Sequence, residues 1–474
     1  MNTLLSPRAS RALATPLAAA ALLCVATAAQ AAVTISTRAT RNMSCTGGVC
    51  TPTAPKANLN VTDLANMLAA NNVTVKSDSA ANDIEFKAPL SWTSTSRLTL
   101  DSYSSIVFQQ PVTVAGTGAL TIVTNDGGSS GDFWFEKKGR VEFWDLHSNL
   151  IVNGNSYTLV KTIKQLAKVI AKNPSGFYAL TKDYNAAHDG TYTDSPVTTI
   201  FSGIFDGLGH DVSNLSVNDA ADQASVGLFS KVYGTLRDIA LSDVTVSATG
   251  TNATAGGLAG FAMWISHASV SGQVSGSSAA GGLASGVSRK VEYAHAAVNV
   301  SGGGAVGGLV GESLGEIDYS YSTGTTSGGD NSSVGGLVGV DDPEQSAFNV
   351  EVYATGSVTG GNNAYVGGLV GVESKDSFVS YSTGAVSGGS GSYVGGFYGG
   401  YTGGSCKCGN TDYWDVQTSG TDHAIGAGIA PGITGLKTRR FTSRLPKGFN
   451  RHVWGQSSTI NNGYPYLLAN PPPK

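Results

Sequence analysis

The apolar positions of this 474-residue chain follow two periods. Two stretches carry them at helical spacing. Residues 58–70 place Leu64, Met67 and Leu68 on one face, with Thr62 as the capping residue. Residues 160–172 place Ile163, Leu166, Ala167 and Ile170 on one face, and Asn173-Pro174 stops that helix. Nearly everywhere else apolar and polar positions alternate over a few residues and are cut by turns of Gly, Ser, Asn and Asp, the signature of short strands. Between the helices this predicts strands at residues 73–75, 84–86, 97–100, 106–108, 120–123, 139–143 and 150–152, with turns at Asp126-Gly127-Gly128 and Asn153-Gly154-Asn155.

From residue 224 the alternation becomes a repeat. Ala-Gly-Gly-Leu stands at Ala255–Leu258 and Ala280–Leu283, Val-Gly-Gly-Leu-Val-Gly begins at Val306, Val334 and Val366, and Val-Gly-Gly-Phe begins at Val394. The second glycines lie at 257, 282, 308, 336, 368 and 396, after a degenerate forerunner at Gly227, so the steps are 30, 25, 26, 28, 32 and 28 residues. A unit of that size cannot bury its own apolar face and must stack on its neighbours. Each copy closes on a strand-like phrase centred on Val274, Val300, Thr326, Val358 or Val386. Five residues earlier stand Ser269, His295, Tyr321, Tyr353 and Tyr381. These residues are β-branched, aromatic and small, without the helical half of leucine-rich, ankyrin or tetratricopeptide repeats.

The pattern therefore predicts an all-β parallel β-helix, a solenoid whose equivalent side chains form ladders ~4.8 Å apart. Val300, Val358 and Val386 are expected in one internal ladder. The paired glycines are expected at a bend that a β-carbon would obstruct. Which of Val306, Leu309 and Val310 points inward is left open by the pattern. The tyrosines form either an outward stripe able to stack on a ligand or part of the packing. The chain divides into a leader at 1–31, a low-complexity lead at 32–57, an amino-terminal β-helical module at 58–157 and a capping helix with its following segment at 158–223. The repeats span 224–400 and a carboxyl-terminal capping tail 401–474. A helix across an open end would protect the first rung from edge pairing.

Composition sets the compartment. Arg8 and Arg11 precede an apolar run at residues 13–27, and Ala29-Gln30-Ala31 is a cleavage site of the small-residue type, with the cut expected between Ala31 and Ala32. Cys24 lacks the small preceding residue of a lipid-attachment site. No other segment is apolar enough to span a bilayer, so a secreted or cell-surface protein is expected. Charged residues make up 13% and the net charge is −4, which gives no electrostatic reason to bind nucleic acid. The basic cluster of Lys437, Arg439, Arg440, Arg444, Lys447 and Arg451 reads as solvated surface without a helix. Cys45 with Cys50 and Cys406 with Cys408 are the disulfide candidates of an exported chain.

The Val-Gly-Gly-Leu-Val-Gly repeats resemble the GLUG motif of bacterial surface and secreted proteins, among them large adhesins and immunoglobulin-A-cleaving peptidases. The phrase Phe201-Ser-Gly203-Ile-Phe205-Asp206-Gly207-Leu-Gly209-His210 and the ending Asn462-Gly-Tyr464-Pro-Tyr466-Leu467 resemble the flanks of such repeats. Residues 58–160 are more loosely similar to the β-helical part of filamentous-haemagglutinin-like exoproteins. The resemblance implies the solenoid and export, with an outer-membrane export partner as one route. The chain departs from two-partner secretion domains in lacking an Asn-Pro-Asn-Gly or Asn-Pro-Asn-Leu motif, and no run of barrel strands follows its repeats.

Chemistry is sparse. No pair of histidines stands at His-Glu-x-x-His spacing, and neither a calcium loop nor a nonapeptide calcium repeat occurs, so no metal or other cofactor is expected. Gly311-Glu312-Ser313-Leu314-Gly315 matches the nucleophile elbow in letters, but a strand rather than a helix is predicted after it. Glu316 and Asp376 each precede a ladder tyrosine by five residues, which puts them on one edge two rungs apart, roughly 9–10 Å. That lies at the outer limit of the ~6.5–9.5 Å of inverting glycosidases. They are the weak catalytic candidates, with Phe348 at the intervening place and Asp341, Asp342 and Glu344 in a nearby insertion. Asp206 and His210 read as parts of a turn. The expected function is a non-catalytic, adhesin-like rod presenting loops such as 341–345 to a host glycan or matrix protein. A polysaccharide hydrolase or lyase is the alternative, and a self-associating structural exoprotein a third.

Overall fold

The computed structural model of the chain describes residues 31–342, 349–374, 377–403, 411–430 and 432–472. Its strands stack coil upon coil, almost all in parallel, into a β-solenoid of about 14 turns. This is the fold that the repeats predict.

The coils begin earlier than the composition suggests. Ala32–Ser36 lies between Ala57–Asn60 and Asp83–Phe86, parallel to both, with Val33 and Ile35 fully buried. Met43–Thr46 and Val49–Pro52 form a hairpin closed by the Cys45–Cys50 disulfide, and its second strand continues onto Val73–Lys76. The segment 32–57 is thus part of the first module; its threonines hide a period-two burial. The seven strands expected in that module are all present, and Leu90–Trp92, Pro111–Val114 and Phe133–Phe135 join them. Helix α1 (Val61–Ala70) buries Leu64 and Leu68. Its cap is Asn60 rather than Thr62: the Asn60 carboxamide accepts from the N–H groups of Thr62 at 2.8 Å and Asp63 at 3.3 Å. The cap must be an extended residue just ahead of the first turn, and Thr62 already lies inside it.

The two modules join at a reversal. Asn149–Val152 pairs antiparallel with Asn155–Val160 through Asn153 and Gly154, both left-handed at φ 47 and 82, as a two-residue hairpin turn demands. Helix α2 (Ile163–Lys172), capped by Thr162, then delivers Ile163, Leu166 and Ile170 to the core of the second module.

The repeats build internal columns. One runs Val226, Ala255, Ala280, Val306, Val334, Val366, Val394 in strict register. Another runs Val274, Val300, Thr326, Val358, Val386, so the valine ladder is as expected, with Thr326 inserted. A third, Leu258, Leu283, Leu309, Leu337, Leu369 and Phe397, is tied from coil to coil by backbone hydrogen bonds of 2.8–2.9 Å. Val306, Leu309 and Val310 are each 0% exposed; the chain turns a corner among them, so all three point inward. Full burial of such side chains stabilises by roughly 1.5–3 kcal/mol each. The glycines make that corner possible. A β-carbon on Gly367 would sit 1.8 Å from Val370 O, and one on Gly368 would sit 2.2 Å from Gly396 O of the next coil.

The tail departs from expectation. Helix α3 (Thr438–Ser443) and the hairpin of Trp454–Gly455 with Tyr466–Leu467 do not close the end of the solenoid; they run lengthwise back along its side. The basic cluster consequently does carry a short helix, with Arg439 and Arg440 in it. Asp341 also differs from expectation: it belongs to the strand Val338–Asp341, is 2% exposed and pairs in register with Ser313 and Glu373.

Candidate functional site

Two aromatic columns run side by side along one edge of the second module. The first is His295, Tyr321, Tyr353, Tyr381 and Tyr413, in register from coil to coil. Ring centroids from His295 to Tyr381 are 4.8, 4.6 and 5.0 Å apart, with planes within 4°. These side chains project away from the solenoid's apolar interior, yet Tyr321, Tyr353 and Tyr381 are at most 1% exposed. The tail covers them with Phe441, Phe449, Trp454 and Tyr464. The Tyr381 hydroxyl donates to Pro465 O at 2.5 Å and accepts from Asn461 at 2.8 Å, the Tyr413 hydroxyl donates to Lys447 O at 2.8 Å, and the Trp454 indole N–H donates to Glu351. The stripe is therefore outward and buried at once, sealed by the chain itself.

The second column stands two residues earlier in each coil. His267, Tyr293 and Tyr319 stack at 4.8 and 4.9 Å, and Glu351 and Val379 continue the line. All five have left-handed backbones, φ 48 to 58, which side chains with a β-carbon adopt rarely. The corner needs that conformation, and the column's rings are held half-buried beside the tail.

Beyond the reach of the tail's hairpin this edge opens into a groove of about 710 Å³. Its floor includes His267, Ala268, Tyr293 and His295, one wall is the Phe135–Gly139 corner of the first module, and the other is the end of the tail. A buried charge network fixes that crook. Arg237 bonds to Asp238 at 2.6 Å, to Asp132 at 3.2 Å and to Phe133 O at 2.7 Å, lies 3.5 Å from Asp206, and covers the Phe133 ring at 4.3 Å. Burial, then the Asp238 charge, pushes the Asp206 carboxyl well above its ordinary range. His210 adds a second link, with Nε2 donating to Val141 O at 2.8 Å and Nδ1 3.0 Å from Asp183. Arg237, with Asp206 beside it, and His210 thus clamp the modules together, and Asp206 and His210 stand on either side of a bulge in the strand Ile204–Ser213.

The sequence-predicted chemistry disperses. Ser313 is 1% exposed in an extended strand, and its hydroxyl is taken up by Gly315 of its own turn at 3.2 and 3.4 Å and by the Asp341 carboxyl of the next coil, so no elbow exists. Glu316 is half-exposed and lies 3.7 Å from Lys290, which also meets Asp318 at 3.1 Å and Glu292 at 3.3 Å. Asp376, Phe348, Glu344, Cys406, Cys408 and the leader through Gln30 lie outside the described residues, so the Glu316–Asp376 pair has no measured geometry. Among the described residues no group of three or more His, Cys, Asp or Glu could hold a metal ion, and no helix is long and apolar enough to cross a membrane. The corner column is absent from the sequence reading, although its signal was there: an aromatic two residues before the ladder position, as in Tyr293/His295 and Tyr319/Tyr321.

Two buried acids give the fold a pH signature. Burial pushes Glu351, beneath Trp454, up to about 7, and Asp341, beside Asn349, also up to about 7. A carboxyl whose pKa is raised on folding binds its proton more tightly in the native state, so stability rises as pH falls through the window from about 7 toward 4. The urea midpoint is expected to increase from pH 8 to pH 5, and Glu351→Gln to flatten part of that slope. A midpoint independent of pH in the parent protein would refute this.

Fold and edge together define a parallel β-solenoid with a sealed aromatic stripe and an open crook. No family model matches the chain, and no curated protein matches it. Among solved structures it is similar to a putative immunoglobulin A1 protease from Bacteroides ovatus, at 17% identity over 66% of this chain and 93% of that one, with a TM-score of 0.43.

Proposed function

We propose that this is an exported bacterial protein, secreted or held at the cell surface, that works as a non-catalytic, adhesin-like binding rod. One observation carries the reading: the solenoid turns large aromatic side chains toward solvent along its faces. Tyr233 and Trp264 are 50% and 44% exposed, and Tyr233 packs edge-on to Phe261 at 5.9 Å. Farther along, Tyr365 and Tyr393 stack at 4.9 Å with Tyr393 45% exposed. Rigidly spaced rings of this kind bury area on a partner at low entropic cost. The resemblance of the Val-Gly-Gly-Leu-Val-Gly repeats to GLUG-type surface proteins supports the same class, as does the leader-like start.

A second reading has its own support. Glu316 and Asp318 flank Lys290, and burial pushes Asp318 above the ordinary carboxylate range while Glu316 stays half-exposed. Two carboxyls in unlike surroundings are what a polysaccharide hydrolase uses. Both readings meet one experiment, a glycan and matrix-protein array probed with residues 32–474 and scored for retention and cleavage together. Retention without cleavage that Trp264→Ala weakens supports the rod. Cleavage that Glu316→Gln or Asp318→Asn abolishes would replace it with the enzyme.

A further inference from the structure

After Leu468, whose N–H donates to Val453 O at 2.8 Å, the tail leaves its hairpin and crosses the corner column as an arm, residues 469–472. One side chain holds it. Asn470 is 7% exposed, whereas Leu468, Ala469 and Pro471 are exposed. Its Nδ2 donates to Ala294 O at 3.0 Å and Tyr319 O at 3.1 Å, carbonyls of two successive coils, and its Oδ1 lies 3.0 Å from Nδ1 of His295. A carboxamide oxygen only accepts, so His295 carries its proton on Nδ1. Burial keeps that ring neutral by pushing its pKa down to about 4.

The side chain thus bridges two successive coils, using both donors of its amide and the carboxamide oxygen. Pro471 and Pro472 then line the groove together with His267 and Tyr293. Prolines in extended conformation present a stiff, apolar surface that aromatic grooves accept at little entropic cost. The rest of the tail is anchored by Phe441, Trp454 and Tyr464; the arm hangs on the three contacts of Asn470.

We propose that the groove is a recognition site for an extended, proline-rich segment of a partner protein, read by an asparagine in the Asn470 position with prolines after it. The chain's own residues 469–472 hold the Asn470 seat and wall the groove from that side, and such a segment takes their place. This deepens the binding-rod reading and rests on it.

Removing residues 469–474 frees the Asn470 seat beside the groove and leaves the hairpin in place. A fluorescent peptide of residues 467–474 is then titrated by anisotropy, to millimolar concentration, into the shortened and the full chain. Saturable binding is expected to the shortened chain, weaker by about tenfold to the full chain, and weaker by about tenfold again when the peptide carries Asn470→Ala, the size of effect for loss of a hydrogen-bonded side chain. Should the shortened chain fail to fold, Asn470→Ala in the full chain frees the arm without shortening it and must bind the parent peptide equally well. Equal binding of the two peptides, or none to a shortened chain that melts with the parent, would overturn the site. Concentration-dependent self-association abolished by Asn470→Ala would assign the groove to a second copy of this chain and overturn the partner. Retention on the array alongside a failed titration would leave the rod standing and remove only this groove.

Discussion

Leu309→Asp is expected to unfold the repeats. Leu309 is 0% exposed in the leucine column, its N–H bonded to Leu337 O at 2.9 Å and its carbonyl to the Leu283 N–H at 2.8 Å. Loss of a buried leucine costs about 2–5 kcal/mol by itself. Placing a carboxylate with no partner there adds several more, or forces it to take up a proton. The sum is comparable with the whole stability of a typical domain, about 5–15 kcal/mol. Because each coil is stabilised mainly by its neighbours, the break should spread to the coils on both sides. Urea unfolding followed by circular dichroism should lose its cooperative transition. A mutant with the parent's midpoint would show that this corner is not packed as described.

Gly367→Ala is expected to be nearly as damaging, for a different reason. Its β-carbon would meet Val370 O at 1.8 Å and Gly399 N at 2.5 Å, backbone atoms that no rotamer change can move. A cost above about 3 kcal/mol follows, at the upper end of overpacking. Gly154→Ala is the control. That position has φ 82 but open space around it, so only the left-handed conformation is penalised, by about 1 kcal/mol. If the two substitutions shifted the melting temperature equally, close approach would not be the reason for the paired glycines.

The solenoid was legible because every coil restates it. The valine column and the tyrosine column could be written from spacing alone, since Tyr321, Tyr353 and Tyr381 stand at one offset from Thr326, Val358 and Val386. The corner was less legible: a bend among Val306, Leu309 and Val310 puts three neighbouring side chains inside, and no two-residue alternation encodes that. The threonines around Val33 and Ile35 concealed the first coil by composition. The tail was read as an end cap, and its course along the side could not be read. Its anchors join residues far apart, Trp454 to Glu351 across 103 positions and Asn470 to His295 across 175, and such pairs leave no local pattern. The site suffered for the same reason. The acids chosen for their shared edge were visible in the sequence, whereas the groove exists only where two modules and the tail meet.

The most direct test of this arrangement is amide hydrogen exchange on the intact chain, residues 32–474, followed peptide by peptide. If the tail seals the outward tyrosines, the peptides holding Tyr321, Tyr353 and Tyr381 and the tail peptides from Phe441 to Leu467 should exchange slowly and open together, while the amides of Ala469 and Asn470 exchange fast. Fast exchange throughout residues 438–467, with the tyrosine coils still protected, would show that the stripe is not covered by the tail and would contradict the account.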